Sequence, residues 1–220
     1  MHLYIAYKNY SSWSLRPWLL MKVAGITFEE TLFPFDHSDA LERFADTHRI
    51  PPQVPVLIDA ERVVWDSLAI MEYLAEHYPD RLLWPQDAGL RALARCAAAE
   101  MHSGFQALRS QHPMNCRASR QVTPGSAVQQ DLKRLKTLWE LFEQAGHPAG
   151  AFLCGPFGIV DAMYAPVMWR VTGYGLSVSE PFARWCKAMQ ALPAMQEWLA
   201  SARAEQWQLA QYERIGETQP

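Results

Sequence analysis

Ser11-Ser12-Trp13-Ser14-Leu15-Arg16-Pro17-Trp18 follows a short apolar run, Leu3 to Tyr7, and opens a helical pattern. Two adjacent serines at a strand-to-helix turn place hydroxyls beside backbone N–H groups that no helical carbonyl reaches, a setting that suits a thiolate or another anion. Serines are also common helix caps, and a cap alone would account for them. A second place is Gln53-Val54-Pro55, where a proline enters an apolar strand. A cis bond there would turn the Val54 N–H and C=O outward, and an extended peptide could pair with them as an added strand. Most X–Pro bonds are trans, so a trans proline closing the loop is the expected form. A third place is Asp66-Ser67, at a helix start. A hydroxyl and free N–H groups there suit a carboxylate, and Asp66 beside them could take an ammonium, so the pair fits an α-amino-acid end. The alternative is a simple cap at Ser67. Finally, His102, Gln106 and Arg109 step by four and three along one helical pattern. They form a polar stripe that either borders a cleft or is a solvated face.

The elements that must position these residues follow from periodicity. Leu3 to Tyr7 reads as a buried strand, and a helix runs from Ser12 or Ser14 to Ala24, with Gly25 as its stop. Pro17 is expected in the first turn, where its missing N–H has no helical partner. Ile26 to Leu32 is a second strand, parallel to the first because a helix joins them. Ser38 to Thr47 is a short helix capped by Ser38, with Leu41, Phe44 and Ala45 inward. Val56 to Ile58 and Val63 to Trp65 form a hairpin, and a helix capped by Ser67 follows from Leu68 to His77. The resulting β-α-β-α-β-β-α unit spans residues 1–79, followed by a linker at 80–87 and an all-helical region at 88–220. Leu90, Leu93, Ala97, Met101, Phe105 and Leu108 predict one long amphipathic helix at the start of that region. Gly158-Ile159-Val160-Asp161 starts another, which Pro166 is expected to kink.

Bulk properties exclude several classes. The formal net charge is −3 and no long basic run occurs, so neither nucleic acid nor an anionic membrane is expected as partner. No apolar run approaches the roughly 20 residues that span a bilayer, and the N-terminus does not read as a signal peptide. Cys96, Cys116, Cys154 and Cys186 form no C-x-x-C and are expected as buried reduced thiols in a cytoplasmic protein. No histidine spacing suggests a metal site, and nothing calls for a cofactor.

The order of these signals resembles the glutathione transferase family. The first unit looks like its thioredoxin-like domain and the remainder like its helical domain. Ser11-Ser12-Trp13-Ser14-Leu15-Arg16 is similar to the S-S-C-x-W-R motif of zeta-like members. Gln53-Val54-Pro55 resembles Q-V-P, Asp66-Ser67-Leu68-Ala69-Ile70 resembles [E/Q/D]-S-x-A-I, and Gly158 to Asp161 resembles the helix-capping S/T-x-x-D. The resemblance implies that Ser11, with Ser12 next in line, holds the glutathione sulfur. It implies that Gln53, Val54 and Pro55 meet the tripeptide backbone and that Asp66 and Ser67 bind its γ-glutamyl end. Trp13, His102, Gln106 and Arg109 would border the cleft. The implied reaction is conjugation of glutathione, as co-substrate, to a small hydrophobic electrophile in a homodimeric enzyme. A glutathione-dependent isomerase of a maleyl compound and a non-catalytic ligand-binding protein are the alternatives. Trp13 stands where the zeta pattern has cysteine, which argues against the isomerase and should reshape the electrophile pocket. Gly158 lacks the capping hydroxyl, so a weaker helix start is expected there.

Overall fold

The computed structural model describes residues 1–34 and 38–215. Strands β1 (His2–Ile5), β2 (Glu29–Leu32), β3 (Val56–Asp59) and β4 (Arg62–Trp65) form one sheet in the order β2-β1-β3-β4. β1 and β2 are parallel across a single helical crossover, and β3 runs antiparallel to both of its neighbours. Helices α1 (Ser12–Val23), α2 (Ser38–His48) and α3 (Ser67–His77) complete the thioredoxin-like arrangement. The expected Ser38 cap concerns a side chain outside the described part of the chain. β2 starts at Glu29 rather than Ile26 because the α1 ending consumes those residues. Gly25 takes φ +66° and the Ile26 N–H returns to the Met21 carbonyl.

Pro17 lies in the second turn of α1, not the first, because Ser11 is the cap. Its ring removes the bond that would reach the Trp13 carbonyl. The helix persists because its body is buried: Leu15, Trp18, Leu19 and Leu20 are fully shielded from solvent. Burial of this kind outweighs one missing bond, since a buried large side chain contributes about 1.5–3 kcal/mol.

After a 3-10 turn at Pro79–Arg81 come α4 (Ala88–Ser103), α5 (Gln106–Gln111), α6 (Ser126–Gln144), α7 (Ile159–Gly173), α8 (Glu180–Ala191), α9 (Pro193–Ala204) and the short α10 (Ala210–Glu213). The long helix expected through Leu108 is therefore two helices. A Cβ on Gly104 would lie 2.7 Å from the Glu100 carbonyl oxygen, and Phe105 adopts a left-handed φ of 56°. The α4 ladder ends there, and Asp131 of α6 accepts from the Leu108 N–H at 2.9 Å to start the next helix.

α7 is the buried axis of the helical region and packs on both α1 and α4. It runs through Pro166 as one helix. Its start explains Gly158. A Cβ there would sit 2.9 Å from the Leu83 carbonyl oxygen, which already accepts the Ile159 N–H at 3.0 Å. The start is held instead by Asp161, which is wholly buried. Its carboxylate accepts from the Gly158 N–H (3.0 Å), the Leu153 N–H (3.0 Å) and Trp185 Nε1 (2.8 Å). Burial, opposed by those bonds, raises its pKa to about 6.

Cys116, Cys154 and Cys186 are buried, and burial pushes the Cys154 and Cys186 thiols up to about 12. Cys96 departs from expectation and is exposed on α4. No helix is long and apolar enough to cross a membrane, and among the described residues no His, Cys, Asp and Glu cluster is placed to hold a metal.

Candidate active site

A cleft of about 720 Å³ opens between the thioredoxin-like unit and the helical region, a size that suits a tripeptide-sized ligand with a second small molecule. Every residue singled out in the sequence lines it: Ser11, Ser12 and Trp13, then Gln53, Val54, Pro55, Asp66 and Ser67, and across from them His102, Gln106 and Arg109. The last three meet there although they do not share one helix. His102 lies in the last turn of α4, and Gln106 and Arg109 belong to α5, so the Gly104–Phe105 break turns the stripe into a corner.

Ser11 is nearly buried and caps α1. Its Oγ lies 2.7 Å from Ser14 Oγ, and Ser14 Oγ in turn accepts the Ala6 N–H of the β1 end at 3.1 Å. With an anion in the cleft the consistent proton order runs from Ala6 N–H to Ser14 Oγ, from Ser14 O–H to Ser11 Oγ, and leaves the Ser11 proton to donate into the cleft. Each donation polarises the next, which strengthens the final one. Ser14 was invisible as a functional candidate because a serine in the first turn of a helix has no local mark of what its hydroxyl meets. Replacement of Ser14 by alanine should weaken anion binding at Ser11. A rise of roughly one unit in the pKa of a bound thiol, read by ultraviolet absorbance, is the expected result.

Val54-Pro55 is cis, against the expectation of a trans bond. The Val54 N–H and C=O meet no backbone partner among the described residues, and Val54 lines the cleft. They are free to pair with an extended peptide.

At the third place the cap is Asp66, not Ser67. Asp66 Oδ1 accepts from the N–H groups of Leu68 (2.8 Å) and Ala69 (3.4 Å), because a cap acceptor must precede the first helical residue, and Ser67 is that residue. Asp66 sits at φ 74°, a region costly for a non-glycine residue and typical of functional positions. Its Oδ2 lies 2.7 Å from His102 Nε2, tying the two halves of the cleft together. Freed from capping, Ser67 Oγ is buried with no hydrogen-bond partner. An orphaned buried hydroxyl costs on the order of 1–3 kcal/mol, which a ligand carboxylate at this helix N-terminus would recover.

Trp13 lies beside two guanidinium groups. Arg16 Cζ is 4.1 Å and Arg109 Cζ 4.8 Å from its ring centroid, and the His102 ring is 5.2 Å away. Arg170, from the buried α7, also lines the cleft and donates to the Arg109 and His112 carbonyls at 2.8 Å each. Arg16 Nη1 and Arg170 Nε have no partner, and no carboxylate forms an ion pair with Arg16, Arg109 or Arg170 among the described residues. Burial, then mutual repulsion, lowers Arg16 to about 9 and Arg170 to about 10. The helical side of the cleft thus brings two cations, Arg109 and Arg170, that no carboxylate pairs directly among the described residues, with Arg16 of α1 behind Trp13.

The chain joins a thioredoxin-like unit to a helical region, with a serine-lined helix start and the cis Val54-Pro55 bond in one cleft between them. Residues 10–77 match the family model described as glutathione S-transferase, N-terminal domain. The chain is 29% identical to glutathione S-transferase 1 of Dianthus caryophyllus, over 82% of this chain and 81% of that one. It is 27% identical to the probable maleylacetoacetate isomerase of Vibrio cholerae, over 84% and 89%. The maleylacetoacetate isomerase of Anaeromyxobacter dehalogenans superposes with a TM-score of 0.61 at 26% identity, covering 90% of this chain and 93% of that one. That isomerase was solved with GSH in its active site, and also with dicarboxyethyl glutathione and citrate there. The first part of the chain thus matches the glutathione S-transferase N-terminal domain, and most of its length is similar to glutathione S-transferases and maleylacetoacetate isomerases.

Proposed function

We propose that this protein binds glutathione across the cleft, holds its thiol as a thiolate on Ser11, and adds it to a small electrophile seated against Trp13. The observation that carries the reading is that three groups line one cleft: the Ser11 hydroxyl, which Ser14 supports, the unpaired Val54 backbone and the orphaned Ser67 hydroxyl. In this reading the sulfur meets Ser11, the cysteinyl backbone Val54 and the γ-glutamyl carboxylate Ser67. The thiolate forms a C–S bond at the electrophilic carbon: in an addition the C=C π pair moves to the neighbouring carbon, which takes a proton from solvent, and in a substitution the leaving group departs with its bonding pair. The proton leaves the thiol to solvent, and the protein supplies no covalent nucleophile. Cys96, Cys116, Cys154 and Cys186 lie outside the cleft lining.

The cleft joins apolar side chains, among them Trp13, Leu41 and Met114, to a polar lining that holds the cations Arg109 and Arg170 beside the carboxylate Asp66. This favours an electrophile with an apolar body and an anionic substituent over a purely hydrophobic one. It also keeps the maleyl-compound isomerase as a second reading, supported by those two arginines. Calorimetric titration with glutathione tests the first step. Binding at or below millimolar concentration is expected, and its absence would sink both enzyme readings in favour of a non-catalytic protein. Assay of a carboxylated electrophile against its neutral analogue tests the second. A KM roughly tenfold lower for the carboxylated one is expected, the effect of one charge-assisted bond. Equal values would remove the anion preference.

A further inference from the structure

We propose that Glu205, where the chain leaves α9, is a positioning residue for the turn that holds the sulfur. The inference rests on the glutathione reading above. The turn between β1 and α1 is closed by the Tyr7 carbonyl, which accepts both the Tyr10 N–H (3.1 Å) and the Ser11 N–H (2.8 Å). Lys8 and Asn9 form its crest, so their placement sets that of Ser11. Both of their N–H groups are gripped by one carboxylate. Lys8 N–H donates to Glu205 Oε1 at 2.6 Å and Asn9 N–H to Glu205 Oε2 at 3.0 Å.

The rest of the crest is held by the same region. The Asn9 carbonyl accepts the Cys116 N–H at 3.2 Å, and Asn9 Oδ1 accepts the Arg117 N–H at 3.1 Å. Arg117 in turn donates to the Glu205 carbonyl at 2.7 Å and to the Tyr10 hydroxyl at 2.9 Å. Tyr10 directly precedes Ser11, and its hydroxyl also bonds Glu213 of the tail. The sulfur-holding turn is therefore a joint assembled from outside, with Glu205 as its one bidentate anion. Nothing in the cleft lining includes Glu205, so it acts through the turn rather than on substrate.

Glu205→Gln keeps the size and one acceptor oxygen but sets an amide N–H against a backbone N–H. In the variant, the absorbance midpoint of bound glutathione thiolate should move up by about one pH unit. kcat/KM should fall by on the order of ten- to a hundredfold, as small displacements of a reacting group do, while glutathione affinity stays near that of the wild type. Glu197→Gln, at a surface pair with Lys22, removes the same charge and should change neither. If the glutamine variant fails to fold, Glu205→Asp, which keeps both oxygens but not the reach, carries the same readout and should show a smaller upward shift. A folded Glu205 variant with unchanged midpoint and kcat/KM would overturn the proposal, as would equal shifts in Glu197→Gln. Absence of any thiolate band in the wild type would instead overturn the glutathione reading on which it stands.

Discussion

Replacing Ser11 with alanine should abolish the thiolate absorbance of bound glutathione at neutral pH and lower kcat/KM by roughly ten- to a hundredfold, with the tripeptide still bound. A free thiol has a pKa of about 8.5, so only a few per cent is ionised near neutrality. A charge-assisted hydrogen bond contributes about 1.5–3 kcal/mol, and each pKa unit corresponds to about 1.36 kcal/mol. One hydroxyl, aided by the α1 N-terminus, is therefore enough to move most of the thiol to the anion. Binding should survive because Val54 and Ser67 hold the remainder of the ligand. The measurement is a pH titration of absorbance beside steady-state kinetics. If Ser12→Ala rather than Ser11→Ala removes the band, the sulfur sits one residue further along, on a hydroxyl that also lines the cleft.

The largest effect on stability is expected at Asp161. Its removal in Asp161→Ala strands three buried donors: two backbone N–H groups and the Trp185 indole. Breaking a buried charged network of this sort costs about 3–5 kcal/mol. In a chain of this size that corresponds to a fall in Tm of roughly 10 °C, readable by calorimetry. Asp161→Asn, which keeps one acceptor, should fall between the two. The pH dependence has a definite sign. Burial holds the folded-state pKa at about 6, above the ordinary 3.8, so the folded protein binds this proton more tightly than the unfolded chain. The contribution of that proton is fully present below 3.8 and is lost as the pH rises through about 6. Asp161→Asn should lack that part of the stability profile. A wild-type profile flat across the window, or one that climbs through it, would contradict the assignment.

Much of the sheet unit was legible because its signals are local. Alternation, turn residues and a helical crossover determine which strands are parallel, and the structure keeps that order. The three ligand-facing places were also local, each a short motif at an element boundary. Two details there failed: Val54-Pro55 is cis where trans was expected, and Asp66 rather than Ser67 is the cap, because both are capping residue types and only the helix start, one residue earlier than read, separates them. The corner of His102, Gln106 and Arg109 was reached through a continuous helix that does not exist. Leu90 to Leu108 keeps its apolar spacing across the break, and only Gly104 marks it. Arg170 and Arg16 carried a weak signal, each a lone cation within an otherwise apolar helical stretch. Ser14 and Glu205 carried none, because their partners are set by tertiary packing. The Pro17 expectation failed for the same reason, since the burial of α1 is a property of the whole fold.

The grip of Glu205 on Lys8 and Asn9 joins residues 197 and 196 positions apart. During synthesis the serine turn leaves the ribosome well before its clamp. The sheet and α1 can collapse early on local contacts, yet the turn that would activate the thiol gains its final shape only once α9 has been translated and docked. A nascent or truncated chain could then carry a folded thioredoxin-like unit that already offers the Val54 edge and the Ser67 hydroxyl. In such a chain binding would be acquired before reactivity, and the order of acquisition would be written in the direction of translation.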